Sequence, residues 1–443
     1  MELLHELFAE VVLFFQERSW QQLIVFFWYF IIFDFTRYVL MDIVFVPWYL
    51  WRRRRQRPLR ALARRRLFRD RPLVSVLVPG KNEGRHLPLL AKSLQTQTYP
   101  HIELIVVDDG SDDDTPEICR RLQREGLIDT FFRNSQRGGK ASAANLGLRY
   151  AQGKYIVHLD ADSHLRPDSI EQILIPFFLD ERVGAVGGDI RVANVMDSLA
   201  TTLQAIDYVK SISTGRVIYS MLGILRIVSG AYGAFRTDIL RRIGGWDVGP
   251  GLDGDITLRI RKLGFRIVHE AEAICYTNVP DSFKKLARQR YRWDRSLVRF
   301  RIRKHRDLFD WSNAHFDMLN FLTVVDNVFF NFVLNIKWWV YVVQMLFFYH
   351  EFVRVVLPVN YMIYFLANVV EFSLAMILFG NTLRRSDKLL FLYLPLVPLY
   401  VGVYLRFVRT FAHLMELFFR ASYYDPWNPW KVSRVRKVED ELR

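Results

Sequence analysis

Val157-His158-Leu159-Asp160-Ala161-Asp162-Ser163 closes an apolar run that begins at Tyr155 and ends in two carboxylates one residue apart. Side chains alternate along a strand, so Asp160 and Asp162 emerge on the same side at its C-terminal tip. Hard carboxylate oxygens in that arrangement suit a Mg²⁺ or Mn²⁺ ion that also holds a diphosphate. Polar residues follow, and Pro167-Asp168 opens a helix. Two aspartates at a solvated turn would look the same, so the neighbouring segments decide the reading.

Upstream, Leu73-Val74-Ser75-Val76-Leu77-Val78-Pro79 reads as a short buried strand with a turn at Gly80. Helical spacing follows from Leu87 to Gln97, then a strand from Glu103 to Val107 ends in Asp108-Asp109-Gly110-Ser111. Asp112 to Asp114 cap a helix through Gln123, Ile128 to Phe132 is apolar, and Gly138-Gly139-Lys140 precedes a helix to Tyr150. Strand and helix alternate, which predicts an α/β domain with a mostly parallel sheet. Ligands of such sheets bind beyond the carboxyl ends of the strands. Pro79 to Glu83, Asp109, Lys140, Asp160 and Asp162 all fall there.

The rest of the chain reads as membrane protein. Of 443 residues 51% are hydrophobic and 15% aromatic, yet the net charge is +15. Nucleic acid is not the implied partner, because the arginines cluster beside apolar stretches. Arg52 to Arg55 and Arg64 to Arg66 follow one such stretch, and Arg384, Arg385 and Lys388 separate two others. That is the positive-inside pattern and suits an anionic leaflet, placing the α/β domain on the cytoplasmic side of the membrane. The two cysteines, Cys119 and Cys275, read as unlinked thiols, and Glu2, His5 and Glu6 replace the basic start of a cleavable signal.

Residues 1–56 are expected to hold an interfacial helix and one spanning segment, Leu23 to Trp51, in which Asp34 and Arg37 could pair on one helix face. A basic linker, 57–72, leads to the catalytic domain, 73–280. Residues 281–315 form amphipathic interface helices, 316–424 a membrane region, and 425–443 a basic cytosolic tail. The membrane region has apolar stretches Phe316 to Tyr349, Phe352 to Phe379 and Leu389 to Leu405, then an amphipathic Phe407 to Tyr424. Asp326, Asn327, Asn331, Asn335 and Lys337 would line a polar path or pair internally. Basic segments at both ends of the last part require an even number of crossings, and hence a fold-back within 389–424.

Val78-Pro79-x-x-Asn82-Glu83, Val107-Asp108-Asp109-Gly110-Ser111, Gly139-Lys140 and Asp160-x-Asp162 resemble the nucleotide-sugar half of family 2 glycosyltransferases. The resemblance implies a GT-A catalytic domain joined to an α-helical transmembrane region. It implies Asp109 on uracil, Pro79 and Glu83 at the base and ribose, Lys140 beside the nucleotide, and Asp160 and Asp162 holding Mg²⁺ or Mn²⁺. On the acceptor side, Arg191, Asn194 and Gln204 to Tyr208 resemble the family pattern, with Asp207 where Glu is frequent. Val228 to Arg236 resembles an acceptor loop, with Gly230 and Tyr232 at the sugar. Asp253, ahead of Asp255-Ile256-Thr257-Leu258-Arg259, falls on the catalytic aspartate, while Gly251 and Leu252 stand in the places of the Thr and Glu before it. Gln289-Arg290-Tyr291-Arg292-Trp293 matches the Gln-x-x-Arg-Trp motif of processive synthases, implying Trp293 stacked on the acceptor and Gln289 and Arg292 near the diphosphate.

The expected activity is therefore a processive inverting β-glycosyltransferase that polymerises a sugar from a nucleotide-sugar donor and exports the product. Asp253 acts as general base on the acceptor hydroxyl. Partners would be a nucleotide sugar (UDP favoured, GDP also compatible), the growing glycan, membrane lipid and accessory export subunits. A single-transfer enzyme making a glycosylated polyprenyl phosphate or glycolipid is the alternative. It would not need Trp293 over a sugar.

Overall fold

The computed structural model describes residues 2–247, 251–312 and 316–424. Among these residues eight strands form one sheet: β1 Val74–Gly80, β2 Ile102–Asp108, β3 Thr130–Arg133, β4 Tyr155–Leu159, β5 Ser163–Leu165, β6 Val183–Val192, β7 Tyr232–Arg236 and β8 Arg266–Thr277. Their order is β3-β2-β1-β4-β7-β6-β8-β5. The β1–β2, β2–β3, β1–β4 and β6–β8 pairs are parallel, while β7 runs antiparallel to both β4 and β6, and β5 antiparallel to β8. Alternation sorts the central strands into two cores. Val76, Val78, Leu104, Val106, Val157 and Leu159 face one, and Leu77, Ile105, Val107 and Ile156 face the other. Both faces are covered, which is why these strands read as unbroken apolar runs.

The antiparallel β7 brings a distant loop to the sheet edge. Leu159 pairs with Tyr232, so the loop before β7 arrives beside the tip of β4. The amide of Asp160 donates to Ala231 O at 3.2 Å. β5 and β8 were not evident from the sequence. β5 has three residues, and β8 mixes Arg, His and Glu with apolar residues, its buried Glu270 being paired with Arg53 and Arg60.

Among the described residues four helices are long and apolar enough to cross a membrane: Trp20–Arg55, Met318–Phe347, His350–Phe379 and Ser386–Phe419. Two expectations change here. Asp34 and Arg37 do not pair. Arg37 reaches Asp326 at 3.2 Å, and Asp34 accepts from the Tyr364 hydroxyl at 2.6 Å and lies 3.7 Å from Arg406. Partners on neighbouring helices displace a local pair because they satisfy the charge where the helices meet. Nor does 389–424 fold back, since the apolar stretch and the amphipathic one join in the continuous helical run Ser386–Phe419. The polar residues of 326–337 are paired internally: Asn327 accepts from Arg226 at 3.1 Å, Asn331 donates to Asn327, Asn335 donates to Thr410, and Lys337 lies over Trp28 and Phe33. The basic tail, 425–443, lies outside the described residues.

Candidate active site

The turns after β1 and β2 are tied together first. Asn82 has φ +61°, a left-handed conformation that Asn tolerates better than most residues. Its amide donates to Ser111 Oγ at 2.8 Å, and its side-chain oxygen accepts from the Asp112 amide at 3.1 Å. Asp109 is fixed by its own chain. One oxygen accepts from the Gly138 amide at 2.8 Å and from Asn134 Nδ2 at 3.0 Å, and the other accepts from the Gly139 amide at 2.8 Å. The aspartate thus shapes the loop that delivers Lys140 to the edge of the sheet.

Lys140 forms an ion pair with Asp160 and donates to Gly230 O at 3.4 Å. Burial alone would lower its pKa. The negative charges of Asp160, Asp253 and Asp162 outweigh that and raise it, so Lys140 stays an ammonium. Two nearby carboxylates are not so compensated. Burial, with the charge of Asp160 beside it, pushes Asp162 up to about 6. Burial and the charges of Asp162 and Asp160 push Glu83 up to about 7. Beneath them the buried His158, with Lys140 close by, is pushed down to about 3 and stays neutral. Pro79 is buried at the end of β1.

These acids fit a divalent cation in one respect. Their mutual repulsion is what a cation would relieve. Among the described residues no three His, Cys, Asp or Glu side chains gather closely enough to hold a metal by themselves. Asp160 and Asp162 could therefore supply two ligands of an ion completed by substrate phosphate oxygens, the usual habit of Mg²⁺.

Asp253 stands in the first turn of the helix Leu252–Lys262. Gly230 packs against it so closely that a Cβ at residue 230 would lie 2.4 Å from Asp253 Oδ1. Burial raises the Asp253 pKa, opposed by the charge of Lys140 and a hydrogen bond from the Gly230 amide. Lys140 and Asp253, expected on the donor and acceptor sides, thus meet across one glycine. Tyr232, expected at the acceptor, is displaced from that role. It is 0% exposed, its ring covers Gly188, and its hydroxyl donates to Ser169 O at 2.8 Å.

The Gln289-Arg290-Tyr291-Arg292-Trp293 segment lies on the helix Phe283–Ser296, continued by the π-helical Leu297–Lys304. Trp293 is 42% exposed, with the Arg290 guanidinium 4.8 Å from its ring centroid. Gln289 Oε1 is buried with no hydrogen-bond partner among the described residues. Sequence reasoning gave Arg290 no role, yet it holds the helix in place by pairing with Asp207 at 2.7 Å. The far end of this interface helix grips the Asp253 helix. Ser296 and Phe300 pack on Gly251, and the Arg301 guanidinium lies over Gly254. Lys304 lies 2.6 Å and His305 2.9 Å from Asp255, which they and Arg259 hold below the usual carboxylate range against the effect of burial. Arg216 was also missed. Burial lowers the pKa of its guanidinium, opposed by the charges of Asp189 and Asp253, and its Nη1 is buried with no hydrogen-bond partner among the described residues.

Residues 75–244 match the family model described as glycosyl transferase family 2. They are a family 2 glycosyltransferase domain. The match takes in β1 through β7 and ends before Asp253 and Trp293. Poly-beta-1,6-N-acetyl-D-glucosamine synthase of Staphylococcus epidermidis is 29% identical over 222 residues, covering 50% of this chain and 53% of that protein. The enzyme of the same name from Staphylococcus aureus strain COL is 28% identical over 223 residues, with the same coverage. The chain thus matches about half the length of these curated relatives. Among solved structures, mannosyltransferase PcManGT from Pyrobaculum calidifontis, in complex with GDP-Man and Mn²⁺, superposes with a TM-score of 0.53 at 21% identity. It covers 78% of this chain and 87% of its own, and it shares the fold of this glycosyltransferase domain.

Proposed function

We propose that the protein is a processive inverting glycosyltransferase of the bacterial inner membrane. It would extend a polysaccharide from a UDP-sugar on the cytoplasmic side and pass it across the bilayer. The observation that carries this is the grip of the Gln289–Trp293 helix on the first turn of the Asp253 helix. These contacts would hold the acceptor-stacking surface and the base in one fixed relation. N-acetylglucosamine is the sugar to test first, because the named relatives are poly-N-acetylglucosamine synthases.

In the mechanism, Asp253 Oδ accepts the proton of the acceptor hydroxyl as that oxygen attacks the anomeric carbon from the face opposite the departing diphosphate. Lys140, held as an ammonium beside Asp160, offsets charge that develops on the leaving oxygens. A Mg²⁺ or Mn²⁺ ion held by Asp160 and Asp162 would add to that neutralisation when bound. Pro79 and Glu83 would border the base and ribose, and Gln289 and Arg292 would approach the diphosphate. The exposed indole of Trp293 offers an apolar face to a pyranose ring. Asp109 would accept from the uracil N–H through Oδ2, which among the described residues accepts only the Gly139 amide and keeps a lone pair for a second donor.

The test is sugar transfer in membrane vesicles supplied with radiolabelled UDP-N-acetylglucosamine, other UDP-sugars or GDP-mannose, with Mn²⁺ present. A high-molecular-weight glycan from one donor supports the reading. Label found only in solvent-extractable lipid would replace it with single transfer to a lipid acceptor.

A further inference from the structure

Ser386–Phe419 is a 34-residue apolar helical run, about 51 Å at 1.5 Å per residue, more than enough to cross a hydrocarbon core of about 30 Å. Its contacts place it differently. At its start, Arg384 donates to Val192 O at 2.5 Å, at the end of β6. Leu390, Leu394 and Tyr400 then join the core that contains Leu203 and Ile206 of the catalytic domain. Further on, the Tyr404 hydroxyl donates to Phe283 O at 2.5 Å, Arg409 lies 3.4 Å from Asp294, and Arg303 lies 3.0 Å from Glu416. Just past the run, Arg299 donates to Ser422 O at 3.4 Å. The partners from Phe283 onward belong to the interface helix, itself fixed to the catalytic domain through Asp207 and Asp255. A helix that crossed the bilayer would carry one end away to the opposite surface. This one is anchored to the catalytic side at both ends and in the middle.

The outer face explains how the run can lie flat. From Leu389 to Phe418 an exposed apolar residue recurs every third or fourth position, including Leu392, Leu399, Phe407, Phe411 and Phe418. That is one continuous stripe, the pattern of a helix lying in an interface. It continues the exposed apolar faces of the adjoining helices, Leu357 and Ile377 among them, which the run meets sideways through Tyr361 with Pro395 O and Asn335 with Thr410. Lipid acyl chains are therefore its occupant.

We propose that Ser386–Phe419 lies in the plane of the membrane interface, docked on lipid by this stripe, and does not cross. The chain then crosses once before the catalytic domain and twice after it. Residues on both sides of the run stay on the catalytic side, which also satisfies the two basic segments without any fold-back.

The test uses the full chain in proteoliposomes, where the native thiols Cys119 and Cys275 are buried. Lys388→Cys, Arg420→Cys and, as a marker of the catalytic domain, Glu125→Cys are exposed to a membrane-impermeant thiol reagent from each side in turn. Spin labels at Leu392→Cys, Leu399→Cys, Phe411→Cys and Phe418→Cys report depth. The proposal expects all three thiols to react from one side and the four depths to be alike and shallow. Reaction of Arg420→Cys from the side opposite Glu125→Cys, or a label at the bilayer centre, overturns it.

Discussion

Gly230 is where Lys140 and Asp253 meet, and it has no room for a side chain, since a Cβ there would lie 2.4 Å from Asp253 Oδ1. A methyl group there would push Asp253 away by about an ångström, a displacement of the size that costs about a hundredfold in rate. Gly230→Ala should therefore lose about that factor in kcat while nucleotide affinity changes little, as steady-state kinetics would show; an unchanged kcat would place the base elsewhere. Glu83 supplies a second expectation. Its folded-state pKa of about 7 lies above the ordinary carboxylate range, so the folded form binds the proton more tightly. Stability is then complete at low pH and falls as pH rises through about 7. Glu83→Gln should flatten that fall and raise the Tm at pH 8 by about 2 °C, with no gain at pH 5, in thermal unfolding of both proteins across that range. The residues legible in the sequence were those whose side chains end at the sheet edge, Lys140, Asp160, Asp162 and Asp253. Tyr232 departs from its expected place because alternation along β7 turns its ring inward under Gly188, a register no short motif reveals. Arg290 was invisible for the same kind of reason. Its partner, Asp207, lies 83 residues away.

Among the elements, the interface helix is held from both ends. The Arg290–Asp207 pair is largely buried, so removing one partner leaves the other uncompensated, at a cost of about 3–5 kcal/mol. Arg290→Ala should show that loss in unfolding and should weaken acceptor use more than donor binding, because the helix tips at Trp293. Trp293→Ala with Arg290 intact should shorten the product, read by gel filtration of labelled glycan, while the protein keeps its stability. Equal chain lengths would remove Trp293 from the acceptor path. The alternation of strand and helix through β4 was readable from apolar runs bounded by turn residues. β5 escaped because it has three residues, and β8 because it carries the buried Glu270, whose charge is met by Arg53 and Arg60 from another part of the chain.

Across the whole molecule, the catalytic domain and the membrane helices share side chains throughout. Arg37, Arg226 and Asp326 meet between them, and Lys210 of the domain pairs with Glu371 of the helix His350–Phe379 at 2.9 Å. The membrane helices themselves were legible from length and hydropathy, but their partners were not, since a charge in an apolar stretch names no neighbour. The sharpest experiment separates binding from chemistry in Asp253→Asn. Titration with UDP and Mn²⁺ would be compared with sugar transfer by the same preparation. A base that acts only on the acceptor proton predicts nucleotide affinity within about twofold of the parent and transfer reduced by about a factor of 10²–10⁴. Transfer near the parent rate, with nucleotide binding intact, would contradict the assignment of Asp253 and with it the meeting of donor and acceptor across Gly230.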